Sequence, residues 1–101
     1  MKRLGDHVLK VRSKNAGPFW ITIDIFCGEA TAFARVAAAL DTVRVAALTG
    51  TPEHLVRRFD IEDLRVIKLS IPRPVVQGSR DDRDMHGAAL AVLIEEMPLS
   101  A

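Results

Sequence analysis

Arg12, Lys14 and Asn15 stand beside the Ser13 hydroxyl and run into an Ala16-Gly17-Pro18 bend. Successive amides in such a bend converge on one point, and neighbouring cations add charge-assisted hydrogen bonds. Arg12, Ser13, Lys14, Asn15 and Gly17 therefore form a candidate cradle for a carboxylate, a phosphate or an acidic partner surface. The same Asn and Gly also make an ordinary hairpin turn with solvated charges. Asp24, set in an apolar run beside Trp20 and Phe26, is the candidate acid or base. It is equally suited to a cross-strand ion pair with Lys10, Arg12 or Lys68. Arg73, held between Pro72 and Pro74, is a cation on a stiff support that can meet a carboxylate or a partner.

Other constellations carry less. Asp81, Asp82, Asp84 and His86 have metal-ligand types, yet Arg80 and Arg83 interleave them and the spacing matches no defined ion loop. No metal site and no cofactor is expected. Cys27 has no evident His partner and follows an apolar strand, as an inert buried thiol does. Gly-rich phosphate loops, a serine-hydrolase elbow, a HExxH helix and paired Cys motifs are missing. His7 and His54 stand alone.

The elements that must position these residues follow from periodicity. Residues 1–6 read as a frayed start, and residues 7–12 alternate as a first strand. Residues 13–18 connect it to the strongest strand pattern in the chain, residues 19–26, with Phe19, Ile21, Ile23 and Ile25 on one face. Ala30, Phe33, Val36, Ala37 and Leu40 make an apolar helical stripe over residues 29–40. Asp41-Thr42 fits the cap of a second short helix through Leu48, or else the first helix simply continues; Gly50 reads as a C-terminal stop, and Thr51-Pro52-Glu53 starts a further turn. Residues 55–59 are a third strand, an edge by its arginine pair, and residues 60–63 are the turn after it. Residues 65–71 are a fourth strand, stopped by Pro72-Arg73-Pro74. Residues 75–84 have loop composition, with Asp84 capping a short helix over 85–90. Residues 91–97 fit either a helix or a last strand, and the pattern leans to the strand.

The order predicts an α+β fold: a ferredoxin-like sandwich with a mostly antiparallel sheet and helices on one face. The other sheet face would carry Lys10, Arg12, Trp20, Thr22, Asp24, Lys68 and Ser70. The 101 residues suit a single small domain. A hydrophobic content of 49% excludes a disordered chain. Fourteen Lys and Arg against 13 Asp and Glu leave a net charge of +1, too small a surplus for a general nucleic-acid or membrane-surface role. Trp20 and Phe26 on one sheet face could stack bases, but two aromatics at this charge do not make an RNA platform. One cysteine fits a reducing cytoplasm, Met1 to Asp6 is too polar for a signal peptide, and no apolar run approaches the roughly 20 residues of a membrane span.

Two phrases, taken together, carry a resemblance: Arg12-Ser13-Lys14-Asn15-Ala16-Gly17-Pro18-Phe19 with Thr22-Ile23-Asp24-Ile25, and Ile71-Pro72-Arg73-Pro74 with Gly78-Ser79. In order and separation they resemble the domain-of-unknown-function family 4387, over about residues 4 to 98. Asp84-Met85-His86-Gly87-Ala88 is similar to a further family segment in which an aromatic residue takes the place of His86. The resemblance implies association with AtuA-like proteins of acyclic terpene utilisation and related carboxylate or acyl-CoA catabolism. A small domain of this kind accompanies a large subunit or is fused to it, and the family brings no established reaction. The resulting expectation is an accessory subunit of a larger AtuA-like enzyme, with residues 12–18 and Arg73 as one basic corner. The alternative is a standalone homo-oligomeric lyase, hydratase or isomerase, with Asp24 as acid/base and Lys14 or Arg73 clamping a carboxylate.

Overall fold

The computed structural model describes residues 2–73 and 89–99. Four strands form one antiparallel sheet: β1 (Lys10–Asn15), β2 (Trp20–Phe26), β3 (Arg57–Ile61) and β4 (Val66–Pro72), in the order β1-β2-β4-β3. Helices α1 (Ala30–Ala39), α2 (Thr42–Thr49) and α3 (Leu90–Glu95) complete an α+β architecture. In β2, Ile21, Ile23 and Ile25 are buried while Trp20, Thr22, Asp24 and Phe26 are half-buried. In β4, Ile67, Leu69 and Ile71 are buried in register beside Ile25, Ile23 and Ile21. Six aliphatic side chains on one pleated face make the floor of the core. Val36 of α1 with Leu40 at its C-terminal end, Val45 of α2 and Ala91 and Ile94 of α3 cover it.

Local chemistry sets the helix ends as the sequence indicates. Asp41 accepts a hydrogen bond from the Val43 amide at 2.9 Å and caps α2. Gly50 ends α2 at φ 68°, a left-handed conformation that glycine adopts without a Cβ penalty.

Several expectations are corrected. The start of the chain is no frayed end: residues Leu4–His7 form a 3₁₀ turn, and Leu4 is fully buried. The Leu4 amide donates to Met97 O at 2.8 Å and the Leu99 amide to Lys2 O at 2.9 Å, so the two ends of the described chain bind each other. The first strand starts and ends three residues later than the alternation places it, and the third two residues later. The α1 stripe runs through Ala32, Val36 and Leu40, with Phe33 and Ala37 against it and Ala30 exposed.

Residues 90–95 are helix α3 and not a strand. A strand would have buried Val92 with Ile94, but Val92 is 55% exposed and the buried positions are Ala91, Ile94 and Met97. That three-residue spacing is a helical stripe. The proposed loop and helix cap over residues 75–88, with Asp81, Asp82, Asp84 and His86, lie outside the described residues.

Candidate functional site

Ladder register decides how the chemically capable residues meet. Arg12 faces Asp24, and Asp24 faces Lys68 on its other side. In the next row Lys14 faces Thr22, Thr22 faces Ser70, and Ser70 faces Arg57. These two rows, with Lys10 beside Phe26 and Trp20 beside Pro72, make the second face of the sheet. It gathers the cations Lys10, Arg12, Lys14, Arg57 and Lys68 around one carboxylate, Asp24. The chain's near-neutral total hides this local surplus, because the other carboxylates among the described residues are placed elsewhere.

Asp24 is well shielded, its side chain 14% exposed. Lys68 Nζ lies 3.8 Å from its Oδ1, an ion pair beyond hydrogen-bond length. That Oδ1 has no hydrogen-bond partner, and neither does the buried Thr22 hydroxyl one step along β2. Buried polar atoms without partners are uncommon in folded proteins, and each calls for a reason. A small cleft of about 110 Å³ beside them is lined by Arg12, Ser13, Lys14, Asp24 and Phe26. Two cations of this face are held over rings: Arg57 Cζ is 4.9 Å from the Trp20 centroid and Lys10 Nζ 5.0 Å from that of Phe26. Such contacts fix where the charge sits and are worth about 0.5–1 kcal/mol each at exposed positions.

The predicted cradle divides between the two faces. Ser13, Lys14 and Asn15 belong to β1 and not to the turn, so their side chains alternate. Arg12 and Lys14 are exposed on the cationic face. Ser13 is buried on the helix side, where its Oγ accepts the Ala91 amide of α3 at 3.0 Å. Its role is to cap the first turn of α3 from a neighbouring strand. Asn15 shares that side, at the strand end.

Arg73 reaches the hairpin. Its amide donates to Phe19 O at 2.8 Å, continuing the β2–β4 ladder, and its guanidinium donates to Asn15 Oδ1. Gly17 stands in the bend between Asn15 and Phe19 at φ 75°, with nothing within 4 Å of where a Cβ would sit. Glycine is there for its backbone freedom and not for a close approach.

Arg57 and Arg58 carry roles that a bare edge-charge reading misses. Arg58 donates to Leu40 O and Ala37 O, each at 2.7 Å, and grips Asp60 through two further bonds of 2.8 and 3.2 Å. It thereby satisfies carbonyls at the C-terminus of α1 and fastens β3 to the helix layer. The signal was the Arg-x-Asp spacing, which in a strand puts opposite charges on one face.

Cys27 is buried, as expected of an inert thiol, and burial pushes its pKa up, with the Asp60 charge adding to the rise. Among the described residues no group of three His, Cys, Asp or Glu is placed to hold a metal. No helix among them is long and apolar enough to cross a membrane. A larger open groove of about 540 Å³ lies between α2 and α3, lined by Arg44, Leu48, Leu93 and Met97 among others, and none of the predicted site residues borders it.

Residues 4–97 match the family model described as Domain of unknown function (DUF4387). The chain belongs to this family. The match takes in all four strands, all three helices and both sequence phrases that carried the resemblance. No curated protein and no solved structure matches the chain. In this family member the chemically capable groups gather on the cationic face and at the hairpin end joined by Arg73.

Proposed function

We propose that this domain is a small cytoplasmic accessory subunit that associates with a larger AtuA-like catabolic enzyme acting on carboxylate or acyl-CoA substrates. One observation carries the proposal: among the described residues, five cations on one sheet face surround a single shielded carboxylate. Such a face attracts an acidic partner surface or a substrate anion, and steers either toward the sheet before contact. Arg12 and Lys14 are its exposed working charges. Arg73 supports the hairpin from the other side through Asn15 and the Phe19 carbonyl.

The test is affinity capture of the tagged chain from its native host, with the native mass of the eluted complex and its turnover of carboxylate and acyl-CoA substrates. A stoichiometric large partner is expected, and Arg12→Ala with Lys14→Ala should weaken the complex or its turnover at least about tenfold, or 1.4 kcal/mol. Arg73 is avoided as the first target because its loss would also disturb the hairpin. A double variant that folds and keeps both partner affinity and turnover ends this reading.

The orphaned Asp24 Oδ1 favours one second reading, the standalone lyase, hydratase or isomerase with Asp24 as acid/base. Unchanged turnover by Asp24→Asn would remove it.

A further inference from the structure

β3 is the last strand of the sheet among the described residues, with β4 on one side only. Such an edge is normally guarded by charge, since its free amides and carbonyls invite another strand. Here the two arginines are turned to other tasks. Arg57 lies over the Trp20 ring, and Arg58 is committed to Leu40 O, Ala37 O and Asp60. Among the exposed charged residues of this part of the chain (Arg57, Asp60, Glu62 and Asp63) stand three exposed apolar ones: Phe59 at 51% within β3, with Leu55 before the strand and Leu64 at 69% after it. Single exposed apolar residues are ordinary, whereas several close together along a sheet edge mark an interaction surface.

We infer that the β3 edge pairs with β3 of a second copy of this chain, in antiparallel register about Phe59, to join two sheets into one. The sequence of the strand favours a second copy over an unrelated strand, because its central residues Arg58-Phe59-Asp60 are complementary to their own reverse. Antiparallel pairing about Phe59 sets Arg58 opposite Asp60 of the second copy and Arg57 opposite its Ile61. The Arg58–Asp60 pairs, already made within each strand, then become a four-charge cluster on the helix side. On the other side the two Phe59 rings meet at the twofold axis. Opposite charges and aromatic pairs directly across strands each stabilise by about 0.2–1 kcal/mol, and a twofold contact makes every such gain twice. Of the cationic face the contact takes up Arg57 and Phe59 at the β3 edge and leaves Arg12 and Lys14, on β1 at the opposite edge, open for the accessory role.

Cross-linking tests the register. Facing residues in an antiparallel pair have Cα atoms about 4.5–5.5 Å apart, within disulfide range. A full-length Phe59→Cys variant should therefore form a covalent dimer under mild oxidation. Val43→Cys, half-exposed on α2, should not. Cys27 adds no cross-link of its own, being buried. The unmodified chain should show a native mass twice its 11.1 kDa, and Phe59→Lys should return it to one copy with unchanged circular dichroism. A single-copy native mass for the unmodified chain overturns the inference. So does cross-linking of Phe59→Cys no faster than that of Val43→Cys. Either failure leaves the partner capture experiment untouched, since that reads Arg12 and Lys14.

Discussion

The two faces of the sheet are built from the same strands, residue by residue, yet they obey different rules. On the helix side Ile21, Ile23, Ile25, Ile67, Leu69 and Ile71 are each exposed by 3% or less, and the buried Ser13 hydroxyl has a partner. On the other side five cations stand around Asp24, and two buried polar atoms, Thr22 Oγ1 and Asp24 Oδ1, have none. Stability is concentrated on the first face. Concentrated charge and, among the described residues, two of the three buried polar side-chain atoms without partners lie on the second, the third being His7 Nε2 in the 3₁₀ turn packed on α1 and α3. Local rules broken without local compensation are where function is to be sought.

Neighbouring residues in one strand make this contrast measurable. The largest effect belongs to Ile23→Ala, which empties a fully buried site at the centre of the core floor. Loss of transfer free energy together with the remaining cavity should destabilise the domain by about 2–5 kcal/mol in denaturant unfolding. A loss below about 1 kcal/mol would mean that the helix layer is loosely packed on the sheet.

Ser13→Ala comes next. It leaves the Ala91 amide without its acceptor and should cost about 1 kcal/mol, with faster amide exchange in α3 than in β2. A uniform change in exchange across both elements would argue that Ser13 does not specifically hold α3.

Thr22→Val, one residue from Ile23 but on the other face, should have the smallest effect and the opposite sign. Removing a buried hydroxyl that has no partner should leave stability unchanged or raise it by up to about 1 kcal/mol. A clear loss of stability would show that this hydroxyl is bonded in solution, and would erase the distinction between the faces at that position.

Much of the architecture is legible in the chain. The Ile21-x-Ile23-x-Ile25 and Ile67-x-Leu69-x-Ile71 alternations declare two strands sharing a core face, because a period of two admits no other placement for them. Asp41 and Gly50 mark the ends of α2, since capping and left-handed geometry are local properties. The residues of the cationic face were largely readable as well, Lys10, Arg12, Trp20, Thr22, Asp24, Lys68 and Ser70 among them. Lys14 and Arg57 were not placed there because strand ends carry little signal. A shift of two or three residues moved one strand over Ser13 to Asn15 and turned a supposed cradle into an alternating pair of faces.

Composition and periodicity by themselves determined an α+β fold with an antiparallel sheet, its two central strands and their inward faces, while two sequence phrases carried the resemblance to the family. Tertiary structure alone decided that Leu4 is core, that residues 90–95 are a helix, that Ser13 serves α3 and that Arg58 serves α1. Those four outcomes depend on partners far away in sequence, such as Met97 for Leu4 and Ala91 for Ser13. A local pattern records how a segment can alternate or cap itself. Which distant backbone group will be left without a hydrogen bond, and which side chain is near enough to supply it, is settled only when the layers close.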